Sequence, residues 1–502
     1  MNISTLAEMA AGAAGDRVAV GPRVGGLSYA DLFLRAGAMA RRIIESGAER
    51  VGLFDVNSAA VPITLFAAAL AGRPYVPLSF RLADDRLRQQ LERIAPAVVV
   101  AGGDGSVLDG VAGIECWARQ DLLADLAGPD LAVADAVEIS AGEEPVAVLL
   151  FTSGTTGDPK AAVLKHENLS AYVLSTVEFM ASDPDEATLV SVPAYHIAGT
   201  SAVLTSVYSG RRIVYMEAFD PAEWVRRARD ERITHAMVVP TMLGRILDVI
   251  EGHGDGLPAL AHLSYGGGRM PRPVIERAMR LLPTTSFVNA YGLTETSSTI
   301  ALLSPDDHRE AFASSDPSVR ARLSSVGRPL STLELEIRDD TGRPVPAGVT
   351  GEIHVRGEQV SGEYVGRSAL IEGGWFPTND SGWLDSDGYL YIDGRLDDVI
   401  VRGGENLSPG EIEDVLAAHP DATDVAVVGV PDQEWGEKVV AAVVLRAGAD
   451  PDEEGFRDLV RKALRSSRTP AHVAFLDELP YNETGKLLRR VLKADLAARY
   501  EK

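Results

Sequence analysis

The feature that most constrains the fold is an alternation of helical segments with short β-rich runs across residues 27–322. The helical segment 38–47, for example, precedes the apolar run 51–54. The helix predicted at 221–231 begins with proline, whose missing N–H does no harm at the start of a helix. Such alternation predicts an α/β fold in which helices cover sheets of mostly parallel strands.

The pattern changes after residue 323, where strands with period-two alternation are predicted at 333–337 and 351–355. This change predicts a smaller β subdomain at about 323–394. The tail has strands and helices of its own, and 502 residues exceed the roughly 250–300 that one core supports. We therefore predict a large N-terminal domain, residues 1–395, and a small mobile α+β domain, residues 396–502.

The composition excludes several classes of protein. A formal charge of −24 disfavours nucleic-acid binding, which requires a basic face. The single cysteine, Cys116, has no partner for an internal disulfide, which is typical of a reducing compartment. No basic and apolar leader opens the chain, and no apolar stretch reaches the ~18–20 residues that span a bilayer. We expect a cytoplasmic protein without an integral membrane segment.

A hydroxyl-rich and glycine-rich loop follows the buried strand predicted at 146–150. Its glycines let backbone N–H groups approach an anion, and its hydroxyls and Lys160 add further donors. Surface turns use the same residue types, so the loop alone leaves both a turn and a polyphosphate cradle open. It is not the P-loop of NTPases, because Gly154 and Gly157 are too close together and Pro159 precedes the lysine.

That loop is the first of an ordered set of motifs. The others are PAYHIAG at 193–199, YGGG at 265–268, YGLTET at 291–296, GWFPTND at 374–380, GRLDD at 394–398, GGENLSP at 403–409 and LPYNETGK at 479–486. The set resembles the AMP-forming, adenylate-producing superfamily of acyl- and aryl-CoA synthetases, nonribosomal-peptide adenylation domains and luciferases. The resemblance covers almost the whole chain and is strongest to acyl-CoA synthetases.

The resemblance implies a reaction in two halves. ATP activates a carboxylic acid to acyl-AMP with release of pyrophosphate, and the acyl group then passes to the thiol of CoA. ATP, Mg²⁺ and CoA as co-substrate follow from it. The residues implied to hold the phosphates are Thr152, Ser153, Gly154, Thr155, Thr156, Gly157 and Lys160.

The resemblance also assigns the catalytic residues. Lys486 bridges the substrate carboxylate and the α-phosphate, and Thr294 hydrogen-bonds that phosphate. Glu295 ligates Mg²⁺, an ion that prefers hard oxygen ligands. His196 gates the acyl site, although a lone histidine on an apolar segment is more often a core residue. By residue type alone, a lysine near a C-terminus is usually solvated.

The remaining implied site residues bind the nucleotide or admit the thiol. Outside the motifs, tyrosine is usually core and glycine runs are usually turns. The nucleotide set is Gly267, Gly268, Tyr291, Gly292, Asp380, which accepts from the ribose hydroxyls, and Arg395. Asp397 is the implied hinge, about which the small domain swings to bring Gly403, Gly404 and Glu405 of the thiol tunnel to the site.

Three positions depart from the superfamily pattern. Ala161 stands where glycine usually follows the loop lysine, and its methyl group could crowd the loop. Asn379 replaces the glycine of Thr-Gly-Asp, and asparagine tolerates left-handed backbone angles, so we expect the turn before Asp380 to survive. The third is Arg468-Thr469-Pro470, which stands where many relatives carry Tyr-Lys-x-Pro, and this departure could alter contacts with the thiol acceptor.

Several functions compete at this stage. The leading one is an AMP-forming acid:CoA ligase, and the alternative loads a carrier-protein pantetheine in trans. The segment 194–197 lacks the aspartate that would pair an amino-acid ammonium group, and Ala290 stands where malonate ligases carry arginine. These residues favour a neutral acyl acid, as in fatty acid metabolism, or a neutral aryl acid. A catalytically silent ligand sensor is disfavoured by Lys486, Glu295 and Asp380.

Overall fold

The structure is a computed structural model that describes residues 1–103, 105–127, 144–152, 160–253, 256–464, 466–481 and 487–500. The helices in these residues are α1 (Ser4–Ala14), α2 (Tyr29–Ser46), α3 (Ala60–Leu70), α4 (Asp84–Ile94), α5 (Arg119–Asp125), α6 (His166–Thr176), α7 (Ile197–Ser209), α8 (Pro221–Asp230), α9 (Pro240–His253), α10 (Arg272–Leu281), α11 (Pro305–Ala313), α12 (Pro317–Ala321), α13 (Pro409–Ala417), α14 (Glu453–Ala463) and α15 (Arg489–Tyr500).

The strands of the first half of the described chain are β1 (Val18–Val20), β2 (Leu27–Ser28), β3 (Arg50–Phe54), β4 (Tyr75–Pro77), β5 (Ala97–Ala101), β6 (Ile114–Ala118), β7 (Val146–Thr152), β8 (Lys160–Lys165), β9 (Ala187–Val190), β10 (Arg212–Tyr215), β11 (His235–Val238), β12 (His262–Gly266) and β13 (Ser286–Leu293). Those of the second half are β14 (Ser298–Leu303), β15 (Arg328–Pro329), β16 (Glu334–Arg338), β17 (Gly351–Arg356), β18 (Glu363–Tyr364), β19 (Arg367–Ser368), β20 (Phe376–Leu384), β21 (Leu390–Arg395), β22 (Ile400–Arg402), β23 (Glu405–Leu407), β24 (Ala422–Asp432), β25 (Gly436–Leu445) and β26 (His472–Leu476).

Two large sheets form most of the N-terminal region. One has the order β15-β14-β13-β12-β11-β9-β10-β1-β2, and the other β19-β18-β8-β7-β4-β3-β5-β6. Their central strands run parallel, as in the pairs β11–β12 and β3–β5. Every residue of α3 is buried, which is typical of a helix enclosed on all sides. The α/β class predicted from the alternation is confirmed.

The core between these sheets is formed largely by α1, α2, α3 and α7. It reaches Val148 in one sheet and Ile213 in the other. The strand β9 lies between β10 and β11 and runs parallel to both, so the loops that leave these three strands meet at one edge. Ligands of α/β proteins usually bind at the carboxyl ends of the strands, and this edge is therefore where a site is expected.

An antiparallel sheet, β16-β17-β20-β21, covers residues 334–395. Its strand β20 pairs with β21 so that Asp380 lies opposite Arg395. The small hairpin β18–β19 interrupts this region, yet it pairs with β8 of the N-terminal sheet, with Tyr364 opposite Ala162. This hairpin joins the antiparallel sheet to the larger body.

Residues 396–502 contain a separate sheet of order β23-β22-β25-β24, with β26 parallel to β25. One face packs against α13 and α14, and the other packs against α15. We call residues 1–395 the large domain and residues 396–502 the small domain, as in the boundary predicted above. Within the described chain, none of the helices combines the length and hydropathy needed to cross a membrane.

Candidate active site

Asp380 is held by two groups that fix both of its carboxylate oxygens. The Tyr291 hydroxyl donates to Oδ2 at 2.6 Å, and Arg395 Nε lies 2.9 Å from Oδ1. Arg395 also donates to the Thr378 carbonyl oxygen at 3.0 Å. Burial, and then the neighbouring carboxylate, raise the pKa of Tyr291, so its hydroxyl stays protonated and donates. The sequence named these three residues, and the structure brings them together.

The turn before Asp380 accommodates its unusual asparagine. Asn379 has φ of +60°, a left-handed conformation that asparagine tolerates better than most residues. Its backbone N–H donates to Glu352 Oε1 at 3.0 Å, and its side-chain amide donates to Asp397 Oδ2 at 3.0 Å. The expectation that the turn survives is confirmed, and the asparagine also contacts the residue predicted as the hinge.

Glu295 lies in a 3₁₀ turn after β13 and is 8% exposed. The Tyr364 hydroxyl donates to its Oε1 at 2.5 Å, and burial followed by this carboxylate raises the tyrosine pKa. The backbone N–H groups of Ser361 and Gly362 donate to the Glu295 carbonyl oxygen at 2.9 and 3.1 Å. The carboxylate is thus held in one position beside β8, at whose start Lys160 lies.

The backbone after Glu295 adopts rarely used conformations. Ser297 and Ser298 have φ values of +57° and +119°. The Gln359 amide donates to the Thr296 and Thr299 carbonyl oxygens at 3.0 and 2.8 Å, which holds this segment in place. A side chain at Gly292 would overlap the Ser298 carbonyl oxygen. Strained backbone that is held by its surroundings is typical of functional sites.

The predicted nucleotide-binding residues Gly267 and Gly268 directly follow β12, next to its parallel neighbour β13. Gly266 of β12 is opposite Ala290 of β13, and a side chain at Gly266 would overlap the Ala290 carbonyl oxygen. Gly267 has φ of +78°, which turns the chain out of the strand without a steric penalty. The nearest neighbour of a Cβ at Gly268 would be 3.9 Å away, so that surface is open to a flat ligand.

The phosphate loop is described only at its two ends. Thr152 and Lys160 are opposite each other in the β7–β8 pair, and the Thr152 hydroxyl donates to the Lys160 carbonyl oxygen at 3.3 Å. Ala161 lies opposite Phe151 in the same regular register. The predicted phosphate ligands between these ends lie outside the described residues: Ser153, Gly154, Thr155, Thr156 and Gly157.

His196 precedes the first residue of α7, with its ring 4.6 Å from the ring of Tyr195. Its Nε2 is buried and has no hydrogen-bond partner among the described residues. Burial lowers the His196 pKa to about 4, so the ring is neutral at pH 7. A buried histidine nitrogen in a packed core is usually hydrogen-bonded, so the missing partner among the described residues makes His196 unusual for a core histidine.

A cavity of about 390 Å³ lies where the loops after β3, β9, β10 and β11 meet, and Tyr481 of the small domain lines one side. The side chain of Asn57 crosses between the two sheets and donates to the Val192 and Met216 carbonyl oxygens at 3.0 and 3.1 Å. Further lining residues are Phe80, Arg81, Ser191, Pro193, Glu217, Ala218, Phe219, Val239, Thr241, Met242 and Arg245.

The catalytic lysine predicted from sequence, Lys486, lies outside the described residues. The base of its loop is described, because Tyr481 and Leu487 form an antiparallel bridge. The Tyr481 hydroxyl donates to Asp424 Oδ2 at 2.8 Å, which anchors that base to β24. Since Tyr481 also lines the cavity, the loop starts at the edge of the large-domain site.

The predicted thiol-tunnel residues form the turn between β22 and β23. Gly403 and Gly404 have φ values of +59° and +83°, and a Cβ at Gly403 would lie 2.8 Å from the Trp435 ring. Arg468 holds the turn, because its Nη1 lies 2.9 Å from Glu405 Oε1 and its Nε lies 2.6 Å from Glu411 Oε2. In the sequence, Arg468 stood out only as a departure from the superfamily pattern. Its positive charge was the one feature that could have indicated these ion pairs.

The supporting residues Gln359, Tyr364 and Asn57 were missed by sequence reasoning. Each is an ordinary polar residue outside the motifs, and each acts on a residue far away in the chain. Residue type carries no signal for such contacts. Pairing of β18 with β8 brings Tyr364 to Glu295, and only the folded chain shows that pairing.

The comparisons with known proteins agree with this geometry. The family model for AMP-binding enzyme matches residues 7–365, and the model for the AMP-binding enzyme C-terminal domain matches residues 411–486. The chain is 33% identical to the 2-succinylbenzoate–CoA ligase of Geobacillus kaustophilus, with 95% of each chain covered. It is 32% identical to a feruloyl-CoA synthase of an Amycolatopsis species, with 92% of each covered.

A solved structure of the Bacillus subtilis o-succinylbenzoate CoA synthetase, in complex with its acyl-adenylate intermediate, matches with a TM-score of 0.83. The sequence identity is 27%, and 97% of each chain is covered. The fold, the match to both family models and the curated relatives all support the superfamily suggested by the motifs. The chain therefore belongs to the AMP-binding enzyme family, and it is an AMP-forming acid–CoA ligase that uses ATP and CoA.

Proposed function

We propose that this ligase activates a neutral aryl or acyl acid, and that the residues named above carry its two half-reactions. The observation that carries the proposal is the Tyr291–Asp380–Arg395 cluster. Because each of its two oxygens is held by a donor, the carboxylate has a fixed orientation, and a fixed carboxylate suits recognition of ribose hydroxyls. Tyr291 and the open surface at Gly268 would border the adenine.

Glu295 fits the role of magnesium ligand. Its carboxylate is buried, offers hard oxygen ligands and is held by Tyr364 at the edge of the phosphate loop. Within the described residues no group of three or more His, Cys, Asp or Glu side chains could hold a metal alone. One protein carboxylate with substrate phosphates is a usual environment for Mg²⁺, which would neutralise charge on the phosphate oxygens. Thr294 would hydrogen-bond the α-phosphate.

In the proposed mechanism, Lys486 stabilises the charge that shifts as the acid's carboxylate attacks the α-phosphorus. An ammonium group on a flexible stem can contact both the carboxylate and the phosphate in the transition state. Pyrophosphate leaves with the electrons of the broken P–O bond. The position of Tyr481 at the cavity supports this role, because it starts the loop at the site.

The class of acid is the finer part of the proposal. The relatives are named for 2-succinylbenzoate and ferulate, which favours an aryl acid over a fatty acid. Ala290, opposite Gly266, brings no charge to the site, and His196 is neutral at pH 7. We propose that His196 lies between the acid site and the thiol path, where its unpartnered Nε2 would contact a ligand.

The cavity supports CoA over a carrier protein as the acceptor. Its buried Asn57 Oδ1 and Ser191 Oγ have no hydrogen-bond partner among the described residues, and a pantetheine arm carries amides that could pair with them. Arg81 and Arg245 also line it and suit the nucleotide phosphates that free CoA has and a carrier arm lacks.

The test is pyrophosphate release and product mass with a panel of aryl, short, medium and long-chain acids, each with and without CoA. We expect an acyl-CoA product with an aryl acid. Adenylate that accumulates in the presence of CoA would favour carrier loading, and turnover of fatty acids alone would contradict the aryl assignment.

Lys486→Ala tests the mechanism in the same assay. We expect the adenylation rate to fall by at least ~10²-fold, because one preorganised charge is typically worth that much. Conversion of added acyl-AMP and CoA should be nearly unchanged. Full single-turnover adenylation by the variant would exclude the proposed role.

A further inference from the structure

The first turn of α13 makes an unusual contact with the large domain. Ser408 is at the N-cap position of this helix, but its side chain does not cap the helix. Its hydroxyl instead donates to the Asp393 carbonyl oxygen in β21 at 2.8 Å. A serine N-cap normally satisfies the free N–H groups of its own helix. The Ser408 hydroxyl does not stabilise its own helix in this way and instead makes a contact across the proposed hinge.

Arg269 makes a second contact with the same helix. It follows the glycines at the end of β12, in the large domain, and its Nη2 pairs with Asp414 Oδ2 on α13. Its guanidinium lies directly over Gly410, where any side chain would overlap it. The absence of a side chain at 410 therefore lets an arginine of one domain lie flat on a helix of the other.

These contacts hold one particular orientation of the small domain. It is the orientation in which Tyr481, at the base of the Lys486 loop, lines the cavity of the large domain. The Gly403–Gly404 turn is packed on its own Trp435 and is exposed. This orientation therefore suits adenylation, the half-reaction that needs Lys486. Transfer to the thiol is the half-reaction that needs the Gly403–Gly404 turn.

We propose that Arg269 is a positioning residue that holds the small domain, through Asp414, in the orientation for adenylation. This inference rests on the proposed roles of Lys486 and of the Gly403–Gly404 turn. Arg269 does not take part in the chemistry in this proposal. It stabilises the first orientation, and the pair must break before the thiol step.

The experiment compares the two half-reactions in Arg269→Ala. We expect single-turnover adenylation to slow by about threefold to fivefold, the upper range for a partly exposed ion pair. Thioester formation from added acyl-AMP and CoA should be unchanged or faster. Arg277→Ala is the matched control, because Arg277 lies nearby on α10 and, among the described residues, its ion pairs are with Asp248 and Glu251 of the large domain. It should change neither step.

The exchanged pair distinguishes positioning from direct contact with the nucleotide. Arg269→Asp with Asp414→Arg restores the attraction across the domains, so we expect adenylation to recover towards the wild-type rate. If the single variant raises KM for ATP and the exchanged pair fails to recover, Arg269 binds the nucleotide and the proposal is wrong. Equal slowing of both half-reactions would also overturn it.

A second measurement does not depend on turnover. In a Cys116→Ser background, Arg269→Cys and Asp414→Cys can be joined by a short bis-maleimide and detected by the mobility of the denatured chain. Rapid joining supports the orientation even if no acid in the panel is a substrate, which separates this inference from the proposed function. Failure to join, with both thiols reactive towards a single maleimide, would contradict it.

Discussion

At the scale of single residues, the sharpest prediction concerns the hydroxyl of Tyr291. Tyr291→Phe removes the hydroxyl that donates to Asp380 Oδ2. We expect KM for ATP to rise about tenfold, since a hydrogen bond to a charged group is worth about 1.5 kcal/mol or more. Tyr389→Phe is the control, because it removes a similar bond, 2.7 Å from Asp307 Oδ1, outside the site. An equal KM in both variants would contradict the role of Asp380.

His308 gives a prediction of pH dependence. It is 1% exposed, and its ring nitrogens lie 2.8 Å from the Tyr265 hydroxyl and from the Ser304 carbonyl oxygen. Burial lowers its pKa to about 4. The unfolded chain binds a proton near pH 6.5, so this stabilisation is complete above that pH and is lost as pH falls towards 4.

We therefore expect the free energy of unfolding to fall by about 2 kcal/mol between pH 7 and pH 5, because the unfolded chain takes up a proton that the buried ring does not. Urea unfolding at both pH values measures it. His308→Gln should be less stable than wild type at pH 7 but should lose less on acidification, because it removes this one titration. If the variant loses as much stability as wild type, His308 binds protons equally in the folded and unfolded states, and the prediction is wrong.

At the scale of elements, the sequence predicted local structure well and distant pairing poorly. The proline at the start of α8 and the apolar run of β5 follow from local chemistry. The two-residue strand β18 has no such signal, because it is defined by pairing with the equally short β19 and with β8, some 200 residues earlier in the chain. Glu295 could be predicted from its motif, but Tyr364, which holds it, could not.

Arg468 connects two elements, and its removal should act on one half-reaction. It joins β23 to α13 through Glu405 and Glu411 and is 18% exposed. Arg468→Gln frees the Gly403–Gly404 turn, so we expect about tenfold slower transfer to CoA with adenylation unchanged, as loss of two partly buried ion pairs suggests. Arg461→Gln is the control, because the ion pairs of Arg461 within the described part of the chain lie along α14. Unaltered transfer would exclude this role for Arg468.

At the scale of the whole molecule, the α/β class followed from the alternation of elements, whereas the orientation of the small domain did not. That orientation depends on side-chain contacts such as Ser408 with Asp393, which no periodicity reveals. The boundary near residue 395 stays a prediction. The asparagine at 379 was visible in the sequence as a departure, but its contact with Asp397 required the folded chain.

That contact leads to a prediction for the movement between domains. Asn379→Gly keeps the left-handed turn, which glycine adopts freely, and removes only the amide that donates to Asp397. Because the bond is exposed and worth at most about 1 kcal/mol, the equilibrium between orientations should shift by no more than about fivefold. We expect transfer to CoA to become faster by that factor, while the KM for ATP stays within twofold because Asp380 keeps its partners. Asn379→Ala separates the two effects, since it also removes the amide but strains the turn at φ of +60° and should raise the KM. If glycine leaves the transfer rate unchanged, the Asn379 amide does not restrain the hinge.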